Sequence, residues 1–165
     1  MENLINEITF SQYCKMLEIA KDKYKTVSLN VSKPTDTKGN KYFQSLQGCS
    51  ILTIKGELCG LFRFKKGTEK VAKIHQFHRI NLGGYWLNCY RGKLDKIYKN
   101  QGFKVISAIQ FNPEFAPIGW KNDEILKNEP DIFFMVLNKF HTKNHFTLCE
   151  NYERAEQIAA WSILL

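Results

Sequence analysis

The sequence predicts an α/β domain, a mixed and twisted sheet flanked by helices with a further helix at the C-terminal end. Three observations carry this. Apolar residues change period along the chain, from three-and-four spacing to short continuous β-favouring runs and back. The central segments run strand, helix, strand, helix, strand, an order that implies at least one parallel crossover packed on the sheet. And 165 residues with 44% hydrophobic and 13% aromatic side chains supply one packed core, so a single domain over 1–165 is expected.

The elements follow in order. In 9–25, Phe10, Tyr13, Cys14, Leu17, Ala20 and Tyr24 recur three and four apart, an amphipathic helix that Thr9 or Ser11 caps. Residues 31–40, with Pro34, Asp36, Gly39 and Asn40, read as a loop. The runs 48–54 and 58–64 flank Lys55-Gly56-Glu57, whose glycine supplies the left-handed residue of a hairpin turn, so they pair antiparallel. Val71, Ile74, His75, Phe77, His78 and Leu82 then mark a helix stopped by Gly83-Gly84. A strand over 85–90, a short helix over 94–99 closed by Gly102, and a strand over 103–111 follow. A loop over 112–130 carries Pro113, Pro117, Gly119 and Pro130, ahead of the buried-strand run 131–137 and a final helix from about Asn151. The apolar tail 158–165 is expected to dock, on the domain's own sheet or as a homodimer contact.

Lys and Arg total 24 against 16 Asp and Glu, a formal charge of +8, which favours phosphorylated ligands, nucleic acid or acidic proteins as partners. Five cysteines scattered singly through apolar segments fit reduced thiols, not a disulfide framework. The longest apolar runs fall far short of the ~20 residues of a bilayer span. The acidic start Met-Glu-Asn-Leu-Ile-Asn-Glu has no signal-peptide pattern, so a soluble, cytoplasmic setting is expected.

At Ile97-Tyr98-Lys99-Asn100-Gln101-Gly102-Phe103 the sequence resembles the Leu-Tyr-x-x-x-Gly-Phe element of GNAT N-acetyltransferases. The text from Gly83 to Leu94 before it, and Phe111-Asn-Pro-Glu-Phe-Ala-Pro-Ile-Gly-Trp120 and Glu129-Pro-Asp-Ile-Phe-Phe-Met135 after it, resemble a divergent GNAT-like branch of bacteriophages and mobile elements. The similarity covers about 48–137. It implies acetyl-CoA as cofactor, an amine acceptor, and transfer of an acetyl group between them. The pantetheine arm would pair with the strand ending at Leu61, Phe62, Arg63 and Phe64. The pyrophosphate would meet the next helix's N-terminus, where free N–H groups and the helix dipole favour an anion. The stretch corresponding to the family's phosphate-binding signature is Lys65-Lys66-Gly67-Thr68-Glu69-Lys70-Val71-Ala72. Only Ala72 aligns, because Lys70 stands where the first glycine is expected, while Lys65, Lys66, Lys70 and Lys73 offer charge in its place.

The resemblance makes Tyr98 the acid that protonates the departing thiolate. Read from the residues alone, Tyr98 serves equally as a half-buried aromatic packing the short helix on the sheet. Arg91 replaces the family's asparagine seven residues before this tyrosine and is grouped with the cofactor-binding residues. The amine needs a base, for which Glu57, Asp95, Glu114, His75 and His78 are available; Glu114, in the long loop, is the choice. Cys89 reads as an inert core thiol. His75/His78 and His141/His145 each present two imidazoles, but no further ligand is spaced to complete a zinc site, and none is expected.

The alternative function is a phage-type GNAT-like scaffold without transferase activity. It would bind a host protein or nucleic acid through a basic face containing Arg63, Lys65, Lys66, Lys70, Lys73, Arg79, Arg91, Lys93, Lys96 and Lys99, with Tyr85, Trp86 and Tyr90 near it. No motif for base readout supports the nucleic-acid branch.

Overall fold

A computed structural model of the chain describes residues 5–164. Its strands form two ladders of four, ordered β1-β2-β3-β4 and β5-β7-β6-β8, and the chain falls into two units that divide between Gly84 and Tyr85. Residues 1–4 of the acidic start and Leu165 of the tail lie outside the described residues. Among those described, no helix is long and apolar enough to cross a membrane.

The first unit is an antiparallel sheet of β1 (Asn6–Ile8), β2 (Lys41–Gln44), β3 (Gly48–Leu52) and β4 (Leu58–Arg63). With it go α1 (Phe10–Lys23), α2 (Lys25–Asn30) and α3 (Val71–Asn81). Thr9 begins α1 in a capping box: its Oγ1 accepts from the Gln12 amide at 3.2 Å and its own amide donates to Gln12 Oε1 at 2.8 Å. The stripe Tyr13, Cys14, Leu17 and Ala20 packs into a core with Tyr42, Cys49, Ile51, Phe62 and Phe64. β3 is buried along its whole length because its two faces alternate. Cys49 and Ile51 join the α1 core, while Ser50 meets His75 of α3.

Between Cys49 and Ile51 the register shifts, so Gly60 and Leu61 oppose the single residue Ser50. Gly60 adopts φ +57° at this bulge, and its carbonyl accepts from the Tyr13 hydroxyl at 2.6 Å. A Cβ there would lie 2.4 Å from that hydroxyl and 2.8 Å from Ile51 Cδ1. Gly60→Ala therefore combines a left-handed alanine with overpacking and should cost about 2–4 kcal/mol. Thermal melting followed by circular dichroism checks this; an unchanged midpoint would show that the bulge relaxes freely.

The second unit holds β5 (Trp86–Tyr90), α4 (Lys93–Asn100), β6 (Phe103–Ile109), β7 (Ile132–Leu137), β8 (Thr147–Cys149) and α5 (Tyr152–Ala160). β7 runs antiparallel to β5 and to β6, so these two share a direction with β7 between them, and β8 pairs parallel with β6. The β5-α4-β6 crossover is thus parallel, as the alternation predicts, but it skips one strand position. Small residues Ala155 and Ala159 bring α5 onto the sheet against Trp86, Ile106, Phe134 and Val136. Ser107 Oγ donates to the Ala155 carbonyl at 2.8 Å, and the Tyr85 hydroxyl donates to that of Ala160.

Four elements escape the sequence pattern: β1, β2, β8 and α2. Each is three to six residues long, too short for a period to develop. The tail docks only in part: Ser162 is buried, whereas Trp161, Ile163 and Leu164 remain exposed.

Candidate functional site

The segment 61–73 joins an edge strand to a helix start. β4 ends its ladder, and among the described residues nothing pairs with its outer edge. The Phe64 amide turns inward to the Gln47 carbonyl at 3.0 Å, so by alternation the backbone groups of Leu61 and Arg63 face that outer edge. Phe62 and Phe64 are buried in the core and Leu61 is half-buried. Beyond the strand, Lys65, Lys66, Gly67 and Lys70 are exposed, Val71 is buried, and Ala72 is half-buried in the first turn of α3. Lys70 is the N-cap residue and makes no side-chain cap. The amides of Val71, Ala72 and Lys73 therefore have no acceptor among the described residues.

The loop between is tied from inside the unit. Arg63 Nη1 donates to Gln47 Oε1 at 2.6 Å and to the Gly67 carbonyl at 3.1 Å, and Nη2 reaches the Glu69 carbonyl at 2.5 Å. The same Gln47 Oε1 accepts from the Glu69 amide at 3.1 Å. The Glu69 carboxylate accepts from Ser45 Oγ at 2.7 Å and from the Gln47 amide at 3.0 Å. Gly67 lets the loop cross close over Gln47: a Cβ there would sit 1.8 Å from the Gln47 amide nitrogen and would displace that side chain from its bonds to Arg63 and Glu69. Ser45, Gln47, Ser50 and Glu69 were not legible as site residues in sequence; the signal that could have found one of them is Ser50, a hydroxyl inside an apolar strand run, which calls for a buried partner.

That partner is His75, fully buried on α3. Ser50 Oγ lies 2.6 Å from its Nδ1, and Ser45 Oγ lies 3.0 Å from its Nε2. Burial, then the neighbouring Arg79 and His78, push the imidazole down to about 3, so it is neutral. With both ring nitrogens engaged it is neither a metal ligand nor an available base. His78 packs edge-on against Phe43, and His141 Nε2 lies 2.9 Å from the His145 carbonyl. Among the described residues no cluster of His, Cys, Asp or Glu could hold a metal ion.

The other expected site residues lie in the second unit. Tyr98 is half-buried on α4, its ring edge-on to Phe103 with centroids 6.3 Å apart. Arg91 is exposed, 3.8 Å from Asp131 and over the Phe133 ring. Glu114 is exposed in a short 3-10 turn, Pro113–Phe115, whose start is capped by Asn112. Asp95 is not free to act as a base. Burial alone would raise its carboxyl, but the Lys99 ammonium at 2.8 Å and the Gly92 amide at 2.6 Å outweigh that and hold it below the usual range. Cys89 is an inert thiol, pushed up to about 12 by burial and then by Asp95. Trp86 and Tyr85 are core residues, so neither serves as a stacking platform in a nucleic-acid face.

No protein-family model and no curated protein sequence matches the chain. Among solved structures it is similar to the ribosomal-protein-S18-alanine N-acetyltransferase from Escherichia coli, with TM-score 0.53 and 12% identity over 81% of this chain and 92% of that one. It is also similar to the IAA acetyltransferase from Bacillus cereus ATCC 14579, with TM-score 0.49 and 12% identity over 81% and 97%. A third is the ribosomal-protein-alanine N-acetyltransferase from Brucella melitensis, with TM-score 0.49 and 14% identity over 81% and 99%. At these identities the first likeness speaks for architecture: the chain has the mixed α/β fold of the GNAT N-acetyltransferases.

Proposed function

We propose that this chain is an N-acetyltransferase that moves an acetyl group from acetyl-CoA to an amine, its two units acting as one domain. The observation that carries the reading is that, among the described residues, the outer edge of β4 is unpaired and leads into amides of Val71, Ala72 and Lys73 that have no acceptor. An open strand edge suits a pantetheine amide, and three free N–H groups with Lys65, Lys66, Lys70 and Lys73 around them suit a pyrophosphate. The alignment with the E. coli enzyme, over 81% of the chain, is longer than either unit and so supports a single functional domain.

Bound acetyl-CoA would supply an activated acyl carbon, to which the amine bonds as the carbon–sulfur bond breaks. Tyr98 would donate its hydroxyl proton to the departing sulfur. Glu114 would take the proton that the amine loses, and Arg91 would add positive charge to the cofactor side. A reduced, cytoplasmic setting, a phage or mobile-element origin and a protein acceptor complete the reading, the first of these supported by five free cysteines. The exposed Trp161, Ile163 and Leu164 offer a surface for pairing of two chains.

Saturation with acetyl-CoA at 100 times its dissociation constant should stabilise the fold by about 2.7 kcal/mol. Tyr98→Phe should lower kcat by about 100-fold while leaving acetyl-CoA affinity within threefold of wild type. A Tyr98→Phe enzyme that turns over at the wild-type rate would remove the acid from the mechanism.

One observation favours the scaffold as a second reading. The Arg63 guanidinium and the Glu69 amide, both useful to a phosphate, are already engaged within the loop. That reading predicts no thermal shift at millimolar acetyl-CoA, together with salt-dependent binding of a host protein or nucleic acid that reversal of Lys65, Lys66 and Lys70 to Glu abolishes.

A further inference from the structure

We infer that His75 is a positioning residue which, through Ser45, keeps the Glu69 carboxylate off the N-terminus of α3 and so leaves that end open to an anionic ligand. The inference rests on the acetyl-CoA reading of the α3 terminus and adds a device that serves it.

The hydrogen-bond directions follow from the groups present. A carboxylate only accepts, so the Ser45 hydroxyl, 2.7 Å from Glu69 Oε2, donates to it. Ser45 Oγ is then an acceptor, and His75 Nε2, 3.0 Å away, carries the proton that it receives. Nδ1 is left bare and accepts from Ser50 Oγ at 2.6 Å. The chain of donors runs Ser50, His75, Ser45, Glu69, and it starts from fully buried side chains of β3 and α3. A neutral imidazole satisfies it at both nitrogens.

Glu69 immediately precedes the N-cap residue of α3. A carboxylate one residue before the N-cap is attracted to the three amides by the positive end of the helix dipole. Here it is drawn to the β2–β3 turn, where Ser45 Oγ and the Gln47 amide hold it. The amides of Val71, Ala72 and Lys73 keep their donors free, and the one acidic side chain of the 64–73 segment is held by hydrogen bonds to the β2–β3 turn. Without the Ser45 contact Glu69 would become a competitor for the site.

The test is a rescue. Ser45→Ala should weaken coenzyme A binding, measured by calorimetry, by about tenfold, the effect of a carboxylate on a helix terminus already worth ~1.4 kcal/mol in favourable geometry. Adding Glu69→Gln to Ser45→Ala should return affinity to within threefold of wild type, because the competing charge is gone. Loss of a merely structural contact would not be repaired by a second substitution in the same network. Ser45→Cys, which keeps the side-chain shape and donates only weakly, carries the same expectation should Ser45→Ala fail to fold. Unchanged affinity in the Ser45 variants, or no recovery in the double variant, overturns the inference.

If the wild-type protein itself binds no coenzyme A, the acetyltransferase reading fails, and the inference is then decided without ligand. In the Ser45 variants the amide proton shifts of Val71, Ala72 and Lys73 should move away from their wild-type positions as the Glu69 carboxylate reaches them, and should return when Glu69→Gln is added. Amide shifts that are the same in wild type and in the Ser45 variants would contradict it.

Discussion

Arg79→Leu is expected to destabilise the first unit by about 3–5 kcal/mol, the largest effect of any single substitution away from the candidate site. The Arg79 side chain is 1% exposed. Its Nη1 donates to the Ile51 carbonyl at 2.7 Å and to the Cys59 carbonyl at 2.8 Å, Nη2 donates to Gln76 Oε1, and Nε donates to the His75 carbonyl at 3.3 Å. Ile51 and Cys59 are the pair at which the β3–β4 ladder resumes after its bulge. One guanidinium therefore closes the carbonyls that the bulge leaves over and binds α3 to both strands. Leucine fills part of the volume but takes the guanidinium donors away from the Ile51 and Cys59 carbonyls and from Gln76 Oε1, each loss costing about 1–3 kcal/mol before relaxation. Arg79→Lys should be intermediate, since an ammonium cannot span the planar fork of acceptors. All three tryptophans lie in the second unit, so fluorescence is the wrong probe. Amide protection factors in β3 and β4 read the loss directly, and a loss below about 1 kcal/mol would show that the bulge carbonyls find other donors.

The second large effect is a pH dependence centred on His75. Its imidazole titrates near 6.5 in the unfolded chain and is pushed down to about 3 in the fold, first by burial, then by Arg79 and His78. Above pH 6.5 both states are neutral and the full stability is present. As pH falls below 6.5 the unfolded chain binds a proton that the folded one refuses, so stability declines by up to about 1.4 kcal/mol per pH unit until the folded value is reached. Between pH 6.5 and 4.5 the first unit should lose roughly 2 kcal/mol. His78 is also lowered, by burial and then by Arg79, and adds to the loss with the same sign. Protection factors of β3 amides, corrected for intrinsic exchange and compared with those of His75→Asn, isolate the contribution. An equal slope in the variant would assign the effect elsewhere.

Much of the architecture was readable because the long elements carry a period. Thr9 and the stripe Tyr13, Cys14, Leu17 and Ala20 define α1; Gly56 and Gly83 mark the hairpin turn and the end of α3 with positive φ, as their places in the pattern required. β1, β2 and β8 were not readable, because a strand of three or four residues is defined by its partner's ladder and not by its own composition. The segment from Leu61 to Ala72 was legible as a strand leading through a basic loop into a helix. What holds that loop was not: Ser45, Glu69, Ser50 and His75 meet across sequence separations of 24 to 30, and no local spacing encodes such a contact. Trp86 shows the converse failure. An aromatic beside basic residues reads the same in sequence whether it stacks on a base or fills a core, and only burial separates the two.

An amide-shift titration of the labelled protein with acetyl-CoA tests the central claim most directly. The account predicts saturable shifts concentrated at Leu61, Phe62 and Arg63 on β4 and at Val71, Ala72 and Lys73 at the start of α3. Saturable shifts confined to other parts of the chain, or none at millimolar acetyl-CoA, would contradict it.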